Sequence, residues 1–340
     1  MAPLPDVPLP DSSCSRSLPK AGLEARRQDQ TGLEAREQDQ TGQDQAGLEG
    51  AGLDPAGLEG SELDPALPDA ELAAGLVRNA ATLALRMRSQ GLHGEQKTSV
   101  SDIVTAADRA AEAYIVRQLG RCRPEDGVLG EEGASRSGTS GRVWVIDPVD
   151  GTYNFLSGST YWCSALALKD GTAAEDANEP DPGVLLGAIY QPQEDKLWLG
   201  GVDHPATLNG KPLAPPSDLP LGRLSAGTYI HPSWLARPEA ARPWQAAAER
   251  AATIRMFGSG SCDLARVADG QLGCWFQHSC PEWDWLPGKA IVLAAGGATD
   301  VVEARGLVWF LAGGTTAVGE LAAALRAGSP YIPQQMLGLG

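Results

Sequence analysis

The chain has 340 residues, of which 42% are hydrophobic, and it carries a formal net charge of −16. This composition predicts a soluble globular protein, and the acidic excess argues against nucleic acid as a partner, because phosphate backbones bind basic surfaces. No apolar run approaches membrane-spanning length, the N-terminus lacks the plan of a signal peptide, and the six cysteines form no CxxC pair. We therefore expect a cytoplasmic protein with reduced thiols and no membrane contact.

The first 67 residues form a low-complexity segment. The unit Ala-Gly-Leu-Glu-Ala-Arg-Arg-Gln-Asp-Gln begins at Ala21 and recurs almost unchanged from Thr31. A ten-residue period with frequent glycine offers no face that could be buried in a core, so we predict a disordered tail over residues 1–67. The alternative is that its Leu-Glu units dock to a partner. We expect an ordered catalytic domain over residues 68–330 and a flexible C-terminus over residues 331–340.

Two helices and four strands are predicted in the first half of this domain. Apolar residues at three- and four-residue spacing predict an amphipathic helix from about Asp69 to about Gly91. Thr105 and Asp108 have the spacing of a capping box, which predicts a second helix from Thr105 to about Leu119. Runs of β-forming residues predict strands at 143–146 and 162–168, a hairpin of 184–190 and 196–199, and an acidic surface loop over 173–182.

The second half continues the alternation of helices and strands. We predict strands at 224–230, 254–257, 272–277 and 298–302, and helices at 239–251, 261–268, 284–295 and 316–325. Such an order favours an α/β fold in which helices cover the central strands.

The segment Val-Trp-Val-Ile-Asp-Pro-Val-Asp-Gly-Thr-Tyr-Asn-Phe at 143–155 is the most informative in the chain. Asp147 and Asp150 follow a run of β-forming residues, and carboxylates at a strand end suit hard divalent cations. The Gly151-Thr152 step that follows frees backbone N–H groups that can hold a phosphate oxygen. Together these features predict phosphoryl-transfer chemistry. Alternatively, both aspartates are ordinary turn residues.

This segment resembles the signature of the inositol monophosphatase family, the Mg²⁺-dependent and lithium-sensitive phosphatases. Three further blocks occur in that family's order, over roughly residues 70 to 325: Lys97 to Asp102 with Thr105 to Asp108, Gly130-Glu131-Glu132, and Trp283-Asp284. The resemblance implies the layered α-β-α-β-α sandwich of the inositol monophosphatase and fructose bisphosphatase type. It also implies a dimer, as is common in the family.

The resemblance implies a metal site with two Mg²⁺ ions, or with a third in addition. The first ion would be held by Glu131, Asp147 and the Val149 carbonyl. The second would be held by Asp147, Asp150 and Asp284. A weaker third ion is linked to a loop that contains Lys97 and Asp102. Alternatively, Asp284 is a helix N-terminal charge stabilised by the dipole, a role compatible with metal binding.

The resemblance also assigns catalytic roles to Glu131, Thr152 and Asp108. A threonine hydroxyl is a poor base, but it can orient the attacking water if a carboxylate accepts its proton, and Asp108 is the implied partner. Alternatively, Asp108 serves only as a helix cap.

The substrate contacts are expected from Gly151, Thr152, Gln277 and Asp284. Gln277 stands where animal inositol monophosphatases have a glutamate that contacts inositol hydroxyls. The bulky pair Trp285-Leu286 departs from the family pattern, and we expect it to alter the wall of the pocket. The segment 258–261, which opens a helix, either presents N–H groups to a polar ligand or packs tightly against a strand.

These observations predict an Mg²⁺-dependent phosphomonoesterase that acts on a small polyol phosphate, with inositol 1-phosphate as the leading substrate. Relatives in the family cleave histidinol phosphate, 3′-phosphoadenosine 5′-phosphate or fructose 1,6-bisphosphate, and the metal motifs do not separate these substrates. The alternative from another class is a non-catalytic scaffold that docks through its repeat tail.

Overall fold

The computed structural model describes residues 62–91, 94–96, 103–172 and 183–328, and of 94–96 and 103–104 it describes the backbone alone. Several expectations concern residues outside these ranges. They are the tail as far as residue 61, the positions of Lys97 and Asp102, the acidic loop at 173–182, and the C-terminus at 331–340.

Two helices form the first layer of the fold. Helix α1 (Asp69–Ser89) buries the apolar stripe that its sequence predicts. A short hairpin of β1 (Gly94–Gln96) and β2 (Ile103–Thr105) leads into α2 (Ala106–Cys122). Thr105 and Asp108 form the predicted capping box, which fixes where α2 begins. Helix α2 extends one turn beyond the predicted end.

Residues 62–67, placed in the tail by the sequence, pack against this first layer. The Leu63 side chain lies against Gly75 of α1, and its backbone N–H donates to Gln118 Oε1 of α2 at 3.2 Å. Glu62 forms an ion pair with Arg121. The described structure therefore begins before the domain boundary that we expected at residue 68.

The second layer is a large sheet that the described residues build from eight strands. Its order is β10-β9-β8-β7-β6-β5-β3-β4, and all neighbours pair antiparallel except β3 and β5. The strands are β3 (Gly127–Gly130), β4 (Ser135–Arg136), β5 (Arg142–Asp150), β6 (Cys163–Asp170), β7 (Val184–Gln191), β8 (Lys196–Gly201), β9 (His204–Leu208) and β10 (Lys211–Pro212). A short helix, α3 (Thr152–Leu156), follows β5 directly. Helix α1 packs on β5 to β8 and α2 packs on β5.

The third layer lies on the other face of the large sheet. It consists of α6 (Gly260–Ala268) and α7 (Glu282–Ala294), which pack against each other and against β5 to β7. Helix α7 crosses the large sheet at Gly187, where an added Cβ would lie 2.1 Å from the Pro287 carbonyl oxygen. The absence of a side chain at Gly187 therefore sets how closely α7 approaches the sheet.

A smaller sheet and two outer helices complete the fold. The small sheet has the order β12-β11-β13-β15-β14 within the described residues. Its strands are β11 (Ser225–Thr228), β12 (Thr253–Arg255), β13 (Cys274–His278), β14 (Ala298–Ala304) and β15 (Leu307–Gly313). A 3-10 turn (Leu221–Arg223) and the short α4 (Pro232–Leu235) precede α5 (Pro238–Ala248), which packs with α8 (Thr315–Ala327) outside this sheet.

The described elements therefore stack in the order α-β-α-β-α, which confirms the predicted layered sandwich. Among the described residues, one apolar core lies around α6 and α7 between the sheets and another lies beneath α5 and α8. Strand β15 was not predicted. It forms an antiparallel hairpin with β14, and Arg305 and Gly306 in the turn both have positive φ (55° and 76°). In the part of the chain that the structure describes, none of the helices combines the length and the apolar character of a membrane span.

Replacing Gly187 by alanine should destabilise the protein, because the new methyl group collides with the backbone of α7. We expect a loss of about 1–3 kcal/mol in the free energy of unfolding, the usual cost of overpacking. Urea denaturation measures it. Gly183, just before the same strand, has nothing within 4 Å of an added Cβ, so Gly183→Ala is the matched control. Equal stability of the two variants would contradict the close approach of α7.

Candidate active site

A β-bulge places Asp147 and Asp150 on the same face of the large sheet. In a regular strand, residues three apart point to opposite faces. Here Asp147 pairs with Ala165 and Asp150 pairs with Cys163, so three steps along β5 match two steps along β6. Pro148 lies inside the bulge, where its missing N–H leaves no strand hydrogen bond unmade. The Asp-Pro-Val-Asp spacing is thus what directs both carboxylates to one side.

Four carboxylates interact at this point, and the pKa values of three of them, Asp147, Asp150 and Asp284, are raised, with burial as the largest cause. The pKa of Asp147, whose exposure is 1%, is raised well above its usual value by burial and by the charges of Glu131, Asp150 and Asp284. Burial, then Asp150 and Glu131, likewise raise the pKa of Asp284. Burial also raises the pKa of Asp150, although hydrogen bonds from Ser259 and Ser261 oppose the shift. The four predicted metal carboxylates therefore lie together.

The elements around the cluster hold Glu131 and Asp284 in place. Glu131 follows β3, and its backbone N–H donates to the Ile146 carbonyl at 3.1 Å. Glu112 of α2 was not recognised from the sequence. Its carboxylate accepts the N–H groups of Glu132 and Ala134, both at 2.9 Å, and so fixes the loop that carries Glu131.

Asp284 lies in the first turn of α7, close to an ion pair that anchors the helix. The Lys169 ammonium of β6 lies 2.6 Å from both carboxylate oxygens of Glu282, the first residue of α7. This contact ties the start of α7 to the large sheet. The helix begins two residues before the predicted position, so Asp284 is a first-turn residue and not the starting residue.

Thr152 and Asp108 are in contact, as the sequence predicts. The Thr152 hydroxyl has Asp108 Oδ1 at 3.2 Å and the Val149 carbonyl oxygen at 3.1 Å as acceptors. The other oxygen of Asp108, Oδ2, accepts the Thr105 N–H at 3.0 Å and also bonds the Thr105 hydroxyl. The cap and the Thr152 contact are therefore both present, one on each oxygen. Burial is the main cause that raises the pKa of Asp108 to about 6.

Gly151 is confined to glycine by its backbone and its neighbours. Its φ of 90° is left-handed, and an added Cβ would lie 3.1 Å from the Gly258 carbonyl oxygen. The turn between β5 and α3 thus packs closely against the segment before α6.

The segment 258–261 uses its polar groups on Asp150. Ser259 caps α6, and its hydroxyl donates to Asp150 Oδ2 at 3.0 Å. The Ser261 N–H donates to the same oxygen at 2.5 Å. Of the two alternatives for this segment, N–H groups for a polar ligand or tight packing, the structure shows a third arrangement. The N–H of Ser261 serves a carboxylate of the protein itself.

The two departures from the family pattern, Gln277 and the pair Trp285-Leu286, lie in different surroundings. Gln277 is half-buried on β13, within reach of the Cys280 thiol. The pKa of that thiol is raised by burial and by the charges of Asp284 and Asp150. Trp285 and Leu286 are instead fully packed in the core around α6 and α7, with Trp285 stacked on Trp275. The expectation that they form a pocket wall was wrong, since the helical turn after Asp284 points them into the core.

The residues present fit hard divalent cations. Asp147 Oδ1 is buried without a hydrogen-bond partner, and the clustered donors are all oxygens, which Mg²⁺ prefers. Among the described residues, no three Asp, Glu, His or Cys side chains already form a closed cage for a metal ion. Such a cage is not required, because Mg²⁺ is usually held by one or two carboxylates together with waters and substrate phosphate.

Another buried acid, Asp263 of α6, lies behind the cluster. Its Oδ1 lies 2.5 Å from the Tyr161 hydroxyl, and Arg266 stacks over the Tyr161 ring at 4.7 Å. Burial is the main cause that raises the pKa of Asp263 to about 8, with the charge of Asp150 adding to it. No pattern in the sequence indicates this residue, because its partners come from distant segments.

The sequence of the chain matches a known protein family. The model of the inositol monophosphatase family matches residues 68–328. The chain belongs to the inositol monophosphatase family. A Xylella fastidiosa protein named Nus factor SuhB is 31% identical over 233 residues, which cover 68% of this chain and 80% of that protein. An inositol-1-monophosphatase of Rhizobium meliloti is 31% identical over 215 residues, 61% of this chain and 74% of that protein.

Solved structures agree with the fold. The extragenic suppressor protein suhB of Bartonella henselae superposes with a TM-score of 0.66 at 25% identity, covering 76% of this chain and 98% of that one. The Thermotoga maritima inositol monophosphatase has a TM-score of 0.64 at 24% identity, covering 76% and 96%. The fold and the family predicted from the sequence motifs are thus confirmed.

The shifted pKa of Asp263 predicts how stability depends on pH. The pKa of Asp263 is about 4 in the unfolded chain and about 8 in the folded protein. Between these two pH values the folded protein keeps a proton on Asp263 that the unfolded chain has lost. Stability should therefore fall as pH rises through this window. Asp263→Asn removes the titration, so its advantage over the native protein should grow by at most about 1.4 kcal/mol per pH unit.

Urea denaturation from pH 5 to 9 tests this dependence, with the exposed Asp203→Asn as control. Parallel stability curves for the native protein and Asp263→Asn would contradict it.

Proposed function

We propose that this protein is an Mg²⁺-dependent phosphomonoesterase that hydrolyses a small polyol phosphate, with inositol 1-phosphate as the leading substrate. One observation carries the proposal: Asp147 is buried, the charges of three other carboxylates act on it, and one of its oxygens has no hydrogen-bond partner. A protein gains nothing in stability from such repulsion, so the arrangement is best explained by cations bound during function.

The residues that would hold the ions are those of the cluster. Glu131, Asp147 and the Val149 carbonyl would hold the first Mg²⁺, while Asp147, Asp150 and Asp284 would hold the second. The Val149 carbonyl has two lone pairs and can serve both the Thr152 hydroxyl and an ion. Mg²⁺ at such positions supplies activation of water and neutralisation of phosphate charge for an in-line displacement.

Thr152 and Asp108 would orient the attacking water. With a pKa of about 6, Asp108 is mostly a carboxylate at neutral pH, so its Oδ1 accepts a hydrogen bond from the Thr152 hydroxyl. The hydroxyl then directs a lone pair outward, where it can accept a hydrogen bond from water. Glu131, proposed as a ligand of the first ion, would act as a catalytic residue beside Thr152 and Asp108.

The phosphate would be bound by the backbone N–H groups at Gly151 and Thr152, and the rest of the substrate by Gln277 and Asp284. Solved relatives support a phosphorylated small molecule as substrate, because one structure of SaIMPase-II holds inositol monophosphate and another holds 2′AMP. By resemblance to the family we also propose a cytoplasmic homodimer.

A phosphate-release assay with Mg²⁺ tests the proposal directly. The panel contains inositol 1-phosphate, histidinol phosphate, 3′-phosphoadenosine 5′-phosphate and fructose 1,6-bisphosphate. Release from none of them would favour a non-catalytic role, an alternative that the Nus factor name of the Xylella relative keeps in view.

Replacing Asp147 by asparagine should abolish turnover without unfolding the protein. The substitution removes the charge that both proposed ions share, so kcat should fall by at least about 100-fold, as when an important electrostatic contact is lost. In metal-free buffer the melting temperature should rise, because a buried repulsion disappears. The release assay at saturating Mg²⁺ and a thermal melt measure both effects. Turnover within tenfold of the native enzyme would exclude the two-metal assignment.

Replacing Gln277 by glutamate should change the ranking of substrates. A carboxylate at this position accepts hydrogen bonds from several hydroxyls, so kcat/KM for inositol 1-phosphate should rise relative to histidinol phosphate. Turnover of p-nitrophenyl phosphate, which lacks these hydroxyls, serves as the internal control and should hardly change. If the ratio of the two kcat/KM values stays constant, Gln277 does not contact the substrate.

A further inference from the structure

The side-chain amide of Asn154 joins two segments that meet at the candidate site. Its Nδ2 donates to the carbonyl oxygens of Tyr161 at 2.9 Å and Phe257 at 2.7 Å, with that of Gly258 at 3.3 Å. Asn154 itself lies in α3, two residues after Thr152. One amide therefore bonds backbone of the loop after α3 and backbone of the segment before α6.

The segment before α6 carries the groups that bind Asp150. Ser259 follows Gly258 directly and is buried, and its hydroxyl donates to Asp150 Oδ2. The Ser261 N–H donates to the same oxygen. Any shift of the backbone at Phe257 and Gly258 would therefore move both donors relative to Asp150.

The conformation of this segment fits the Asn154 side chain closely. Gly258 has a left-handed φ of 84°, and an added Cβ would lie 3.2 Å from Asn154 Nδ2. A glycine is required both by the backbone and by the contact. Asn154 thus packs on the Gly258 turn as well as bonding it.

The loop after α3 is held to α6 at its other end. The Tyr161 carbonyl accepts from Asn154, its hydroxyl lies 2.5 Å from Asp263 Oδ1, and its ring packs on Phe257 with centroids 4.7 Å apart. Asn154, Tyr161 and the start of α6 are therefore connected to one another by these contacts. The start of α6 is also the part that donates hydrogen bonds to Asp150.

We propose that Asn154 is a positioning residue for metal binding, which acts through Ser259 on the orientation of Asp150. By holding the carbonyls of Phe257 and Gly258, it places the two donors on one oxygen of Asp150. The inference rests on the proposed function only in taking Asp150 as a ligand of Mg²⁺. The side-chain amide of Asn154 donates to backbone carbonyls and not to the cluster, so Asn154 is a positioning residue and not a catalytic one.

Asn154→Asp tests this role with almost no change in shape. A carboxylate accepts hydrogen bonds but cannot donate, so three carbonyl oxygens lose their donor. We expect Mg²⁺ to bind about 10- to 100-fold more weakly in calorimetric titration without substrate, the usual effect of residues that orient metal ligands. Turnover should fall at limiting Mg²⁺ and recover towards the native kcat when Mg²⁺ saturates.

Asn209→Asp is the matched control. Asn209 Nδ2 also donates to a backbone carbonyl, that of Asp195 at 2.7 Å, but in the turn between β9 and β10. This variant should bind Mg²⁺ with native affinity. An equal loss of affinity in both variants, or none in Asn154→Asp, would overturn the proposal. Where Asn154→Asp fails to fold, Asn154→Ala carries the same test, because it removes the donor without adding a charge.

A double-mutant cycle with Ser259→Ala keeps the test independent of Mg²⁺. If Asn154 acts through Ser259, the two substitutions should be non-additive in the unfolding of the metal-free protein, since the second disrupts a contact already displaced. Additive effects would overturn the positioning role. Failure of the native protein to bind Mg²⁺ would instead count against the proposed function, so the two failures are distinguishable.

Discussion

Repulsion among buried carboxylates is the constraint around which this structure is arranged. Asp147 is enclosed by the large sheet and the middle helices while three other acids act on it. The interior lowers the dielectric response, so each of these charges is felt more strongly than it would be at the surface. A cluster of this kind persists only if the rest of the fold supplies the stability that it removes.

The surrounding structure supports the cluster from several directions. On one side Glu112 of α2 binds the loop of Glu131, and on the other Ser259 and Ser261 of α6 bind Asp150. The close crossing of α7 at Gly187 brings the helix of Asp284 onto the large sheet. The four acids therefore come from three places, with Asp147 and Asp150 on β5, Glu131 after β3 and Asp284 in the first turn of α7, and each place is bonded or packed by groups outside the cluster. Sites built on such elements hold their geometry better than sites on free loops.

The sequence predicted well what depends on neighbouring residues. Helix α1 follows from the spacing of its apolar residues, and the start of α2 follows from the capping pair Thr105 and Asp108. The pairing of Asp147 with Asp150 on one face depends on a bulge that Pro148 favours. These features are decided within a few residues, where periodicity, caps and turns act.

What the sequence did not predict depends on distant partners. Ser259 is an ordinary helix cap in sequence, and its role on Asp150 arises from a contact across 109 residues. Asp263 meets Tyr161 across 102 residues. Trp285 and Leu286 were placed in the pocket because they follow Asp284, whereas the helical turn directs them into the core. Strand β15 is a different case, since the glycine of its turn at Arg305-Gly306 is a local turn signal.

The four acids of the cluster and Asp263 illustrate two ways in which the repulsion between neighbouring carboxylates is relieved. Asp263 adds little charge, because a pKa of about 8 keeps it mostly protonated at neutral pH beside the Tyr161 hydroxyl. The other four cannot all be neutralised in this way and still bind cations, since a protonated carboxyl is a poor ligand. Cations that bind only the folded protein would then stabilise it by mass action. A proton thus balances Asp263, while the proposed cations would balance the four acids of the cluster.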